Sequence, residues 1–160
     1  MAAQILDRVL TCWRIGDPQG EFPIFDATGS KLFPGRWNSA ASPVIYASEH
    51  YSTAMLEKLA HGSGHLPPNQ HAIEITIPNG VSYELVEEWQ VPGWDAPSPA
   101  AAQAHGEAWW KARRSLLLVV PSLVARMERN FLIHPEHPEF ARVTHGLHRP
   151  VWWDGRLFGR

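Results

Sequence analysis

The chemistry this chain can do rests on a few side chains spread along its first three quarters. Gly35-Arg36-Trp37-Asn38 joins a residue that lets the backbone turn tightly beside a ligand to a planar guanidinium fork suited to phosphate oxygens. Asn38 can bind a sugar hydroxyl or brace the loop. Tyr46 follows ten residues after Arg36, and Glu57 eleven residues after Tyr46. On a helix, Glu57 shares a face with Ala54 and His61, so its carboxylate has a small neighbour beside which a cavity can open. Pro121-Ser122 interrupts the most apolar run of the chain and places a hydroxyl where a core strand ends. Each feature has a plain structural alternative: a surface turn with Arg36 on Trp37, a solvated helix glutamate, a serine bonding its own turn.

Several familiar chemistries are absent. No Gly-x-Ser-x-Gly elbow surrounds Ser122, and no phosphate loop or dinucleotide glycine fingerprint occurs. His134 with His137, and His61 with His65, are spaced like ligand pairs, but prolines disrupt the first and glycines the second. No metal is expected. The single cysteine, Cys12, excludes an internal disulfide and a cysteine-rich zinc site.

The elements that must position these residues read as follows. Val9–Ile15 is a strand ending on Trp13-Arg14. Phe22–Pro34 is a loop rich in Gly, Pro, Asp and Ser. Val44–Tyr46 is a short strand, with Ser48 as N-cap of a helix over Glu49–His61 that Gly62 stops. Ala72–Ile77 alternates, with Ile73, Ile75 and Ile77 on one face. A turn at Pro78-Asn79-Gly80 leads to a strand over Ser82–Glu87. Trp94–Pro99 is a loop, Ala100–Arg114 a helix, Leu116–Val120 a buried strand, and Val124–Glu128 and Val151–Trp153 further strands. Irregular alternation of strands and helices predicts a single α+β domain over residues 1–160.

With 160 residues, 44% hydrophobic and 19% charged, the chain is globular and long enough to bury a core. Its formal charge of −2 argues against direct nucleic-acid binding, which needs a basic surface. Neither a signal peptide nor a membrane span is read, so a cytoplasmic protein without membrane contact is expected.

Taken in order, Trp13-Arg14-Ile15, Gly35-Arg36-Trp37-Asn38, Ile45-Tyr46-Ala47-Ser48, Leu56-Glu57 with His61, Val120-Pro121-Ser122, Glu128 to Pro135 with His137, and Asp154-Gly155-Arg156-Leu157 resemble the RES domain family. The resemblance runs from about residue 10 to the end. It implies an ADP-ribosyltransferase-like fold, a mixed split β-sheet flanked by helices around an NAD+ cleft. It also implies a toxin of a bacterial type II toxin–antitoxin system, inhibited by an Xre-type helix-turn-helix antitoxin.

The implied activity is cleavage of the nicotinamide–ribose bond by phosphorolysis or hydrolysis, with ADP-ribosylation of a cellular protein as the alternative. NAD+ is then a substrate rather than a cofactor, and inorganic phosphate a possible co-substrate. The motif residues carried over are Arg14, Arg36, Tyr46, Glu57 and Ser122, with Asn38 beside them. In that scheme Glu57 stabilises a ribosyl oxocarbenium, and Tyr46 stacks on the nicotinamide. Arg14 and Arg36 hold the pyrophosphate or a phosphate nucleophile, and Ser122 positions a phosphate or ribose. A homo-oligomer is compatible with the exposed tryptophans. Pro34, Ala41 and His134 depart from the family's pattern, where Gly, Gly and Asn are common.

Overall fold

The computed structural model describes residues 3–159; Met1, Ala2 and Arg160, which the single-domain expectation includes, lie outside them. Nine strands join in one mixed sheet: β1 (Gln4–Ile5), β2 (Leu10–Gly16), β3 (Ile45–Ser48), β4 (His71–Ile77), β5 (Ser82–Leu85), β6 (Leu117–Pro121), β7 (Arg129–Ile133), β8 (Thr144–His145) and β9 (Arg149–Pro150). The order is β1-β5-β6-β7-β3-β2-β4-β8, with β9 also on β4. Every pairing is antiparallel except β5 with β6, which are joined by a crossover containing α3 (Ala100–Ala112). The expected α+β class with a mixed sheet is found.

The sheet is split in its middle. β2 pairs with β4 along its whole length, from Leu10↔Ile77 to Gly16↔His71, and β3 pairs with β7 from Ile45↔Ile133 to Ser48↔Asn130. Between them, β2 and β3 meet at a single register position, Trp13↔Ser48. Past that point the two strands share no further register position.

Alternation sets the two faces of the sheet. Cys12, Ile45, Ile73, Ile75, Val119 and Phe131 bury one face. On the other face α3 covers one half, with Trp109 and Ala102 against Leu118, Val120 and Leu132. The second long helix, α2 (Tyr51–His61), covers the other half through Ala54 and Met55 against Ile15 and Ala72. The two helices therefore flank the split on the same side of the sheet.

Four expectations are corrected. The loop over Phe22–Pro34 contains a one-turn helix, α1 (Thr28–Leu32), which lacks a side-chain cap and so leaves little trace in sequence. Ser48 does not cap α2: it is the last residue of β3, and His50 holds the extended cap conformation. Val124–Glu128 is a turn, not a strand. The Ala125 amide donates to Ser122 Oγ at 3.1 Å and the Glu128 amide to the Ala125 carbonyl at 2.7 Å, which leaves Met127 exposed. Val151–Trp153 is not a strand either. The edge pairing falls on Arg149–Pro150, and Val151 adds only one amide bond, to the Gln70 carbonyl.

Helix α3 ends at Ala112, two residues short of the expected Arg114, because Arg113 takes a left-handed conformation at φ 50°. That helix holds the Gly35–Asn38 loop in place. Gln103 Nε2 donates to the Gly35 carbonyl at 3.2 Å, and Trp110 Nε1 to the Pro43 carbonyl at 2.8 Å. Gly106 touches the carbonyl of Trp37, the residue after Arg36.

Candidate active site

Glu57 lies on α2 two residues after Met55, and its side chain meets Ser122, just past β6, and Asn130 on β7. Its Oε1 accepts two hydrogen bonds, from Ser122 Oγ at 2.7 Å and from Asn130 Nδ2 at 2.7 Å. Asn130 sits opposite Ser48 in the β3–β7 ladder, and its Oδ1 accepts from Ser48 Oγ at 2.8 Å. No hydrogen bond reaches Glu57 Oε2 from the described residues. The structure therefore fixes one carboxylate oxygen and leaves the other available. Ser122 is fully buried and its hydroxyl proton goes to Glu57, which places it to hold the carboxylate.

Tyr46 lies two residues before Ser48 on the same face of β3. Its hydroxyl donates to Asn38 Oδ1 at 2.7 Å and accepts from the Trp37 amide at 3.1 Å. Burial pushes this phenol well above its ordinary range, with the Trp37 amide and Arg14 opposing. Asn38 is fully buried. Its Oδ1 also accepts the Gly35 amide at 2.8 Å, and its Nδ2 donates to the carbonyls of Ser30 and Ser39. Of the two roles open to it, bracing the loop is the one its geometry serves, and direct binding of a sugar is not.

Gly35 lies against the Tyr46 ring, where a Cβ would stand 2.8 Å from both Cζ and Oη. Gly35→Ala is expected to push the ring and the loop apart, at about 1–3 kcal/mol. A lowered Tm together with a higher KM for the substrate checks it; an unchanged KM would mean the loop does not contact ligand.

Arg14 occupies the split itself. Its Nη1 donates to the Tyr46 carbonyl at 2.9 Å and its Nε to the Ile24 carbonyl at 2.6 Å. Burial lowers its pKa, opposed by the Asp26 carboxylate and by Tyr46. It lines a cleft of about 220 Å³ with Lys58, Gly16, Phe22 and Asp26. Lys58 is half-buried, and desolvation, then the nearby Arg14 charge, lowers its pKa. Arg36 does not line this cleft. Its Nη1 donates to the carbonyls of Trp94 (3.0 Å) and Ala96 (2.8 Å), tying two loops on the α3 side. The two arginines thus have no hydrogen-bond partner in common and do not line the same cleft.

Around Arg36, Trp37 stacks on Trp94 with ring centroids 6.1 Å apart, and Arg126 lies 5.2 Å over Trp94 while pairing with Asp95 at 2.8 Å. Sequence reasoning missed Lys58, Asn130 and the part played by Ser48. Lys58 had a signal, as the cationic neighbour of Glu57 on a half-buried helix. The roles of Asn130 and Ser48 depend on the β3–β7 pairing, which no local pattern announces.

Among the described residues one trio, Glu49, His50 and Glu128, brings three potential metal-ligand atoms within 4.8 Å of one another. The 2.7 Å pair between His50 Nδ1 and Glu128 accounts for it without an ion. His134 and His137 each use Nδ1 to accept a backbone amide, from Glu136 at 3.2 Å and Glu139 at 3.1 Å, so their shared spacing serves turns. His134 also bonds the Trp110 carbonyl through Nε2 at 2.9 Å and stacks on that ring.

The family model of the RES domain matches residues 11–154. This chain belongs to the RES domain family. Among RES relatives, the "Prs ADP-ribosylating toxin" of Sphingobium sp. (strain YBL2) is 36% identical over 152 residues, covering 91% of this chain and 94% of that protein. A "Toxin Res" of Photorhabdus laumondii is 30% identical over 128 residues, covering 78% and 81%. A chain of the M. tuberculosis MbcT–MbcA toxin–antitoxin complex shares this fold. It superposes with a TM-score of 0.72 at 15% identity, over 92% of this chain and 86% of that one. The RES motif residues named in sequence thus divide by geometry. Glu57 and Ser122 are in contact, Tyr46 and Asn38 are in contact, Arg14 reaches Tyr46 through its carbonyl, and Arg36 stands apart.

Proposed function

We propose that this RES domain is the toxin of a toxin–antitoxin pair and that it consumes NAD+ by cleaving the bond between nicotinamide and ribose. The observation that carries the reading is the Glu57 carboxylate held by one oxygen only, on the same helix as the cleft-lining Lys58. Ser122 and Asn130 hold Oε1, while Lys58, the next residue on α2, lines a cleft with Arg14.

The chemistry needs few parts. The C1′–N bond breaks with its electron pair leaving on nicotinamide, which departs neutral from a cationic ring. The ribosyl centre becomes an oxocarbenium, and Glu57 Oε2 offsets that charge or binds a ribose hydroxyl. The cations of the split face the pyrophosphate. Water then gives ADP-ribose and a proton, whereas inorganic phosphate gives ADP-ribose 1″-phosphate. The residues that bind need only position and charge, so no cofactor or metal enters this scheme.

The test is to incubate purified protein, freed of any partner, with NAD+ in the presence and absence of phosphate, and to identify the products. Nicotinamide release in both conditions, with ADP-ribose as the product, supports hydrolysis. Turnover that requires phosphate supports phosphorolysis. Intact NAD+ under both conditions overturns the reading. A second reading is favoured by the name of the Sphingobium relative, ADP-ribosylating toxin. Labelled NAD+ in a cell lysate would then leave label on a protein band.

The structural neighbour is a toxin–antitoxin complex, which supports an inhibitory protein partner here. We propose an Xre-type helix-turn-helix antitoxin and a cytoplasmic location, where NAD+ is available. Among the described residues no helix is long and apolar enough to cross a membrane.

A further inference from the structure

The hydrogen bonds that converge on Glu57 have a fixed direction. Ser48 Oγ has one proton and Asn130 Oδ1 can only accept, so that 2.8 Å bond runs from serine to amide. With Oδ1 engaged, Asn130 must present Nδ2 to Glu57 Oε1, at 2.7 Å. The reversed amide would set oxygen against a carboxylate oxygen and its N–H against the serine, losing the stronger bond. Ser48 and Asn130 face one another across the ladder, with Trp13 opposite Ser48 on the other side and Val120 opposite Asn130. Ser48 is buried, so water does not replace its proton.

We infer that Asn130 is a positioning residue for Glu57, its amide orientation set by Ser48, and that together with Ser122 it turns Glu57 Oε2 toward the substrate's ribosyl centre. The inference rests on the proposed NAD+ cleavage and adds to it two side chains that touch no substrate themselves. Two donors on one oxygen fix both the position of the carboxylate and its rotation about the terminal bond. A single donor would leave the rotation free. Misplacement of a charge-stabilising group by about 1 Å costs on the order of 100-fold in rate.

Asn130→Asp tests the donor, and it also sets a second carboxylate against Glu57. It keeps the size of the side chain and the acceptor for Ser48 but removes the N–H facing Glu57. The expected result is a fall in kcat of about 30-fold or more, with KM for NAD+ within about 3-fold and Tm within a few degrees. Two carboxylates this close share a proton, so the pH at which kcat reaches half its plateau should also rise, a shift that packing without contact to Glu57 would not produce. Ser48→Ala is the second variant, used if Asn130→Asp does not fold. It leaves Asn130 in place with its amide free to turn, and kcat should fall by about 3- to 10-fold at unchanged KM.

Turnover within 2-fold of the parent in Asn130→Asp, or a loss carried by KM, overturns the inference while the proposed function stands. For Ser48→Ala, unchanged kcat does the same. A parent protein that leaves NAD+ intact overturns the function and this role with it, so the two failures are told apart by the parent alone.

Discussion

Glu57→Gln is expected to abolish most NAD+ consumption while leaving the fold intact. The amide oxygen of glutamine can still accept from Ser122 and Asn130, which hold Oε1 at 2.7 Å each. The substitution therefore keeps the anchored side of the group and changes the free side, where a negatively charged oxygen becomes an N–H donor. The developing oxocarbenium then meets no compensating charge. Loss of one preorganised group of this kind costs about 100- to 1000-fold in kcat, or about 2.7–4 kcal/mol. Nicotinamide release measured under saturating NAD+ checks it, with thermal melting as the control. A variant that melts with the parent and turns over at the parent's rate would remove Glu57 from the mechanism.

Gly106→Ala is expected to have the largest effect on stability. Alanine in place of glycine inside a helix ordinarily gains about 1 kcal/mol. Here the added Cβ would lie 1.7 Å from the Trp37 carbonyl oxygen and 2.8 Å from its carbon, so either α3 or the Gly35–Asn38 loop must move. Both are held. Trp109 on α3 is fully buried, and Asn38 in the loop makes bonds on both sides of its amide. The expected cost is about 3 kcal/mol, which lowers Tm by roughly 10 °C for a chain of this size. Because the loop carries Arg36 and braces Tyr46, turnover should fall in the same variant at temperatures where it remains folded. Calorimetry checks the sign: a Tm equal to or above the parent's would mean that α3 and the loop do not touch as described.

The elements legible in sequence are those with a strong period of their own. Ile73, Ile75 and Ile77 mark β4, Met55 and Leu59 with Gly62 mark α2 and its end, and Leu117–Val120 marks a strand buried on both faces. β7 left no comparable mark. Its first residues, Arg129 and Asn130, are polar and half-buried, whereas Phe131, Leu132 and Ile133 are buried on alternate faces without alternating in type. A strand at the middle of a sheet needs no polar face, so the pattern that finds edge strands misses it. The neighbouring Val124–Glu128, expected as a strand, is folded into a turn by the Ser122 hydroxyl.

The site was legible to the same degree. Residue type and order were enough to bring Glu57 and Ser122 forward, and the two are in contact. The pairing of the arginines was not legible, because only the crossover through α3 puts Arg36 beside Trp94 and only the divergence of β2 from β3 gives Arg14 its place. Lys58 was passed over since a helix lysine is ordinarily solvated.

Arg14 has two employments at once. Its guanidinium faces the cleft and, through two backbone carbonyls, also closes the gap left where β2 and β3 part. Truncating it would orphan the oxygens of Ile24 and Tyr46, and a lysine, with a single point of charge, could not span both. An inert protein made by changing Arg14 would therefore conflate lost binding with a loosened scaffold. As a harmless stand-in for the toxin, suited to co-expression with its inhibitor, Glu57→Gln is the sounder choice.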